Sequence, residues 1–140
     1  MKKFKTFLEK LGFIEKELTD EKGDFVLFGL FLREGSPNKW DVVVSAPWLD
    51  ESSIESLDFM IKRIQSKLDL QEQLMMSAVL ILDPSQEFIK EMNEEVCVEH
   101  GNVKLTDYIF NGMGIERAHI ITSKPDTDNT GHSEIEKNTA

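Results

Sequence analysis

Cysteine is almost absent from this 140-residue chain: Cys97 stands alone, which excludes an intramolecular disulfide and a Cys-based zinc cluster. A cytoplasmic setting is expected from the same scarcity. Long hydrophobic runs are missing as well. The longest nearly apolar stretches, residues 25–32 and 78–82, fall far below the ~20 residues that span a bilayer, so no contact with a membrane is expected. The start, Met1-Lys2-Lys3-Phe4-Lys5, has the charge of a signal peptide, but Glu9, Lys10 and Glu15 interrupt the apolar stretch that should follow, and a helix is expected instead. Positive charge is the third shortage. Sixteen Lys and Arg face 26 Asp and Glu, a net of −10, and such a surface repels phosphate backbones, so nucleic acid is not an expected partner. A basic protein partner fits the sign better.

What is present describes one soluble domain. With 40% apolar and 30% charged residues, a chain of this length sits in the ~100–150-residue range where a core needs no covalent staples. The charge is uneven. Residues 1–70 carry 11 basic and 13 acidic groups, whereas residues 71–140 carry 5 and 13, so the second half holds the negative field.

Phe4, Phe7, Leu8 and Leu11 repeat at helical spacing and Gly12 follows, which predicts a first helix over residues 2–11 with glycine as its stop. Residues 13–18 then read as a strand and residues 19–24 as a turn. Residues 25–32 are apolar on both faces, as a central strand must be. A turn at 34–38 leads to a Val-rich strand over 40–46, stopped by Pro47. The expectation is a three-stranded antiparallel meander. Ser52 and Glu55 form a capping-box pair, and Ile54, Leu57, Ile61, Ile64 and Leu68 follow at 3-4-3-4 spacing, giving a second helix over 53–68. Residues 78–82 predict a buried strand, and Asp83-Pro84 the start of a third helix running to Glu95. Asn111-Gly112 predicts a hairpin joining residues 103–110 to 113–122; the competing pattern is a short helix capped by Thr106, followed by a lone strand over 118–122. Residues 124–140 hold no large apolar residue except Ile135 and predict a flexible polar, acidic tail. The fold class is therefore α+β in the order αβββαβα followed by a hairpin or strand, a mixed sheet led by the meander, with residues 1–123 as the domain.

Three groups of residues invite a functional reading. The strand between the two tryptophans, Trp40 and Trp48, alternates Trp40, Val42, Val44 and Ala46 on one face with Asp41, Val43 and Ser45 on the other. A four-residue turn places Arg33 across from Trp40, where a guanidinium covers the indole, and Arg and Trp together make a binding surface. The second group is Glu87, Glu91 and Glu95, spaced i, i+4, i+8 with Glu94 beside them and Lys90 the one base between. Like charges at this spacing oppose the helix by about 0.2–0.5 kcal/mol per pair, so the stripe suits a basic partner. The third, Cys97-Val98-Glu99-His100, puts a thiol, a carboxylate and an imidazole within four residues. Cys97 reads as a small buried hydrophobe, and an extended strand keeps His100 off the face of Cys97 and Glu99, so no metal or nucleophilic site is expected. Gly112-Met113-Gly114 lacks the lysine of a phosphate loop.

The order helix, three strands, helix, strand over residues 2–83 is similar to the core of the PD-(D/E)XK nuclease superfamily. That resemblance implies a divalent metal held by Glu9 on the helix, by Asp24 standing for the family's second-strand acid and by Asp41 on the third strand, with phosphodiester hydrolysis as the activity. Val43 stands where that family has its lysine. The expectation from the residues themselves is a non-catalytic interaction protein without a cofactor. It would act through the acidic helix face or the tryptophan strand and pair as a homodimer through an open sheet edge. A metal-dependent hydrolase is the alternative, and it requires Glu9, Asp24 and Asp41 to converge. A small-molecule site between the sheet and the helix of residues 53–68 is a third possibility.

Overall fold

The computed structural model describes residues 2–35 and 39–125. Its first helix, α1 (Lys2–Lys22), is twice as long as expected. The stripe begun by Phe7 and Leu11 continues through Ile14 and Leu18, all four fully buried at 4-3-4 spacing. Residues 13–18 are therefore helical and not the expected strand. Gly12 lies inside the helix, where it costs about 0.5–1 kcal/mol of backbone entropy. Burying Ile14 and Leu18 outweighs that, at about 1.5–3 kcal/mol for each side chain.

Two strands, not three, follow: β1 (Leu27–Arg33) and β2 (Trp40–Ser45), paired antiparallel with Leu27 opposite Ser45 and Phe31 opposite Asp41. Residues 36–38 of the expected turn lie outside the described residues. Next, α2 (Ile54–Gln65) crosses over and the one-turn helix α3 (Leu70–Gln73) leads into β3 (Met76–Ile81), which joins β2 in parallel. The order is completed by α4 (Glu87–Glu95), β4 (Val103–Phe110) and β5 (Met113–Ser123). The sheet runs β3-β2-β1-β5-β4 and is mixed, so the fold is α+β with the meander replaced by a hairpin whose third neighbour, β5, arrives from the far end of the domain.

Local signals held with small shifts. Ser53, one residue after the expected Ser52, caps α2 by accepting from the Ser56 N–H at 3.1 Å, while Ser52 bonds to Asp50. Asp83 accepts from the Ser85 N–H and hydroxyl, which turns the chain before α4 begins at Glu87, four residues later than its expected cap. The C-terminal hairpin forms, with Asn111 and Gly112 both at positive φ of 52° and 75°, the geometry that a tight two-residue turn requires.

β1 is the central strand, as its two-sided apolar sequence predicts. One face of the sheet packs against α1 and α2 through Phe7, Leu11, Leu30, Val42, Val44, Met60 and Ile64. The other packs against α4 through Phe31, Val43, Ile89, Met92 and Phe110. β5 approaches β1 closely at Gly29, where a Cβ would stand 3.0 Å from the His119 carbonyl oxygen and from Ile120, next to a register shift. No helix among the described residues is long and apolar enough to cross a membrane. The expected tail from residue 126 onward lies outside the described residues. Lys124 belongs to the packed domain: its ammonium bonds Asp24 and Glu99 at 3.0 and 2.6 Å.

Gly12→Ala is expected to stabilise the protein by about 0.5–1 kcal/mol in urea unfolding, because Ala suits a helix interior with free space at Cβ. A glycine acting as a helix stop would give the opposite sign.

Candidate functional site

The tryptophan strand folds inward. Trp40 is 4% exposed and packs against Phe4 and His119 with ring centres 4.9 and 5.7 Å away. The guanidinium over its ring belongs to Arg117, 5.6 Å from the centre, and not to Arg33. The pairing of Phe31 with Asp41 is one residue out of step with the expected register. It puts Arg33 on the face of Asp41 and leaves Trp40 on the opposite one. Arg33 accordingly bonds Asp41, Nε to Oδ2, at 2.9 Å. Trp48 is half-buried, its indole N–H donating to the Gly23 carbonyl at 3.0 Å, so it ties the β2–α2 loop to the end of α1. His119 keeps its pKa below the ordinary histidine range through burial and the nearby charges of Lys104 and Arg117.

Asp41 is buried, and its Oδ1 has no hydrogen-bond partner among the described residues. Burial raises its pKa, against the lowering influence of Arg33. The three carboxylates that a nuclease-like site needs do not gather. Glu9 is exposed on α1, Asp24 is exposed and ion-paired with Lys124, and Asp41 is buried on the α4 side of the sheet. Among the described residues no group of three His, Cys, Asp or Glu side chains could hold a metal. The space between the sheet and α2 is filled by Met60 and Ile64, both fully buried, and the grooves along α2 open outward beside Lys22, Trp48 and Phe59.

A polar cluster centred on Glu15 joins α1 to β5. Glu15 is fully buried. Its Oε1 lies 2.6 Å from His100 Nδ1, and its Oε2 accepts from the Thr122 hydroxyl at 2.8 Å. The His100 N–H in turn donates to Thr122 Oγ1 at 3.0 Å, and His100 takes a positive φ of 54° to do so. Cys97 does not share this cluster. It is exposed, contrary to expectation, and its thiol donates to the Asn93 carbonyl at 3.4 Å. Bonded by both His100 and Thr122, the buried Glu15 carboxyl secures the packing of α1, and each such hydrogen bond contributes about 0.5–1.5 kcal/mol. Its signal was the helical stripe itself: Glu15 follows Leu11 by four residues and precedes Leu18 by three.

The acidic stripe is where the sequence placed it. Phe88, Ile89, Met92 and Asn93 face the core, and the Asn93 amide donates to the Val26 carbonyl and to Ser123, which fixes the roll of α4. Glu87, Glu91, Glu94 and Glu95 are left exposed. Glu95 accepts from the Tyr108 hydroxyl at 2.7 Å, and burial together with this carboxylate pushes the Tyr108 pKa far above its usual range. Among the described residues no Lys or Arg pairs with any of the four, whereas four acids on the α1–α2 side are answered: Glu21 by Arg63, Asp58 by Lys62, Asp69 by Lys3 and Glu72 by Lys10. No base occupies the last turn of α4, so Glu94 and Glu95 also oppose the helix dipole.

Thr122→Val removes one bond to Glu15 and one from His100, and is expected to cost about 1–3 kcal/mol in urea unfolding. Asp41→Asn tests the buried acid. The raised folded pKa means that the native state holds its proton longer than the unfolded chain as pH rises, so wild-type stability falls relative to the variant as pH rises from the ordinary aspartate range through the folded pKa. Unfolding free energies measured across that window should diverge, and parallel curves would show that burial does not perturb Asp41. Compared with family models, with curated proteins and with solved structures, the chain matches none.

Proposed function

We propose that this protein is a non-catalytic interaction module that docks a basic protein segment on the outer face of α4. The observation that carries the reading is the uncompensated cost of that face. Four exposed carboxylates lie on a nine-residue helix, two of them in a last turn without a base, and none meets a cation among the described residues. Elsewhere the same chain pairs its acids repeatedly. Like charges at i, i+4 and acids at a helix C-terminus each cost a few tenths of a kcal/mol. A surface that lowers stability in this way is suited to a charge that arrives from outside, and the rigid packing of Ile89, Met92 and Asn93 beneath it presents the carboxylates in a fixed array. The tryptophan strand does not serve in this reading, since Trp40 and Asp41 lie inside. The gathering of carboxylates that a hydrolase would need is also missing among the described residues.

The test is fluorescence anisotropy with a labelled lysine-rich peptide, on wild type and on E87Q/E91Q/E94Q. The variant is expected to be slightly more stable, by about 0.2–0.5 kcal/mol for each like-charge pair removed. It should lose most of its affinity for the peptide, and wild-type affinity should fall as salt is raised. Equal binding by the two proteins would sink the proposal, as would no binding by wild type at low salt.

A further inference from the structure

The two edges of the sheet are built differently. β4 carries Lys104 and Asp107, and Asp107 sits at a positive φ of 52°, so charge and an irregular backbone both discourage another strand from adding there. β3, Met-Ser-Ala-Val-Leu-Ile, has neither device. Over residues 70–82 the one ionisable side chain is Glu72, which is fully buried and bonded to Lys10. The Leu82 N–H bonds the Val44 carbonyl, and by the alternation of a strand the backbone groups of Ser77, Val79 and Ile81 therefore point to the open side.

Apolar side chains frame this edge. Around α2, Met60 and Ile64 face the sheet, while Phe59, under the Lys22 ammonium, and Arg63, bonded to Glu21, face α1. At 100° per residue Ile54, Leu57 and Ile61 then fall on the flank away from α1, above the β3 edge. Ile54 is 83% exposed, and Leu70 and Leu74 in and after α3 are 72% and 60% exposed. Because α2 runs back along β3, its first turn lies beside the end of the strand, where Glu51 accepts from the Asp83 N–H. α3 lies at the strand's beginning and on the same face, bonded to α1 through Glu72. The exposed leucines and Ile54 thus occupy opposite ends of one edge.

We infer that β3 joins two copies of this chain, edge to edge and antiparallel across a two-fold axis, into a continuous ten-stranded sheet. The occupant is a second copy for two reasons. A two-fold exchange carries Leu70 and Leu74 of each copy to Ile54 and Leu57 of the other, so the patch is complementary to itself, as an isologous contact must be. Each copy also carries −10, and this edge, about 20 Å long, lets two such chains meet with no carboxylate of the strand facing another. The inference stands apart from the acidic surface of α4, and its salt dependence has the opposite sign, since screening the net charge favours association of like copies.

Sedimentation velocity on the full chain over a range of concentrations, at low and high salt, tests it. The expected result is a species of twice 16.1 kDa whose share rises with protein and with salt. I54E/L74E should give the monomer with unchanged far-UV circular dichroism and urea midpoint, because both positions are exposed. T106K on the β4 edge should leave the dimer intact. S77K places a single charge at an exposed point of the strand and should repeat the loss if the double variant folds poorly. A wild type that stays monomeric throughout overturns the inference, and so does a dimer that survives in folded I54E/L74E or S77K.

Discussion

β1 has no polar face, and the rest of the molecule is arranged around that constraint. Six of its seven residues are buried, so water must be excluded from both sides of the strand and both of its edges must be bonded. Apolar burial yields roughly 25 cal/mol per Å², and a strand that is apolar on both faces can gain it twice only with helices above and below. α1 and α2 supply one layer and α4 the other. The two edge partners come from distant parts of the chain, β2 directly after β1 and β5 some ninety residues later. Gly29 makes the second pairing possible: any side chain there would press on the backbone of β5.

Residues whose signal was local could be read from the sequence. The two-sided hydrophobicity of residues 25–32 marked the centre of the sheet, Asn111-Gly112 marked the hairpin, and the 3-4 spacing after Ser53 marked α2. The register of the acidic stripe on α4 followed from the same periodicity. Where the reading departed from the structure, a distant partner decided. Gly12 is a helix stop in isolation but an interior residue once Ile14 and Leu18 have the sheet to pack on. Arg33 and Trp40 were placed together by counting a turn, and a shift of one residue in the register separated them onto opposite faces. Arg117, the cation that covers Trp40, lies 77 residues away in sequence. Glu15 became visible as a buried group only after residues 13–18 were helical. The short helix α3 was missed although Asp69 and Glu72 form a reciprocal cap at its start, because four residues are too few for periodicity to register.

Charge is distributed by role. On the α1–α2 face several acids meet a base, and the pairs at Arg63, Lys10 and Lys3 link helices to one another. On α4 they are not matched, and on β3 there are none to match. A protein of net charge −10 that kept its compensation on one face, left a second face uncompensated and emptied an edge of charge has three surfaces with different chemistry. Such surfaces sort partners by electrostatics before any shape is tested.

The chain order of the sheet also governs how the protein can be made. β1 lies near the start of the chain, yet one of its edges and part of one face are completed by β5 and by Glu15 meeting Thr122 across 107 residues. During synthesis the most hydrophobic strand is therefore exposed on that side until residues 113–123 have left the ribosome. α1, already long enough to form, can shelter one face in the meantime, but it cannot satisfy the open backbone edge. The nascent chain must keep a sticky central strand from its neighbours until then, and the sheet can close around β1 only when β5 is delivered.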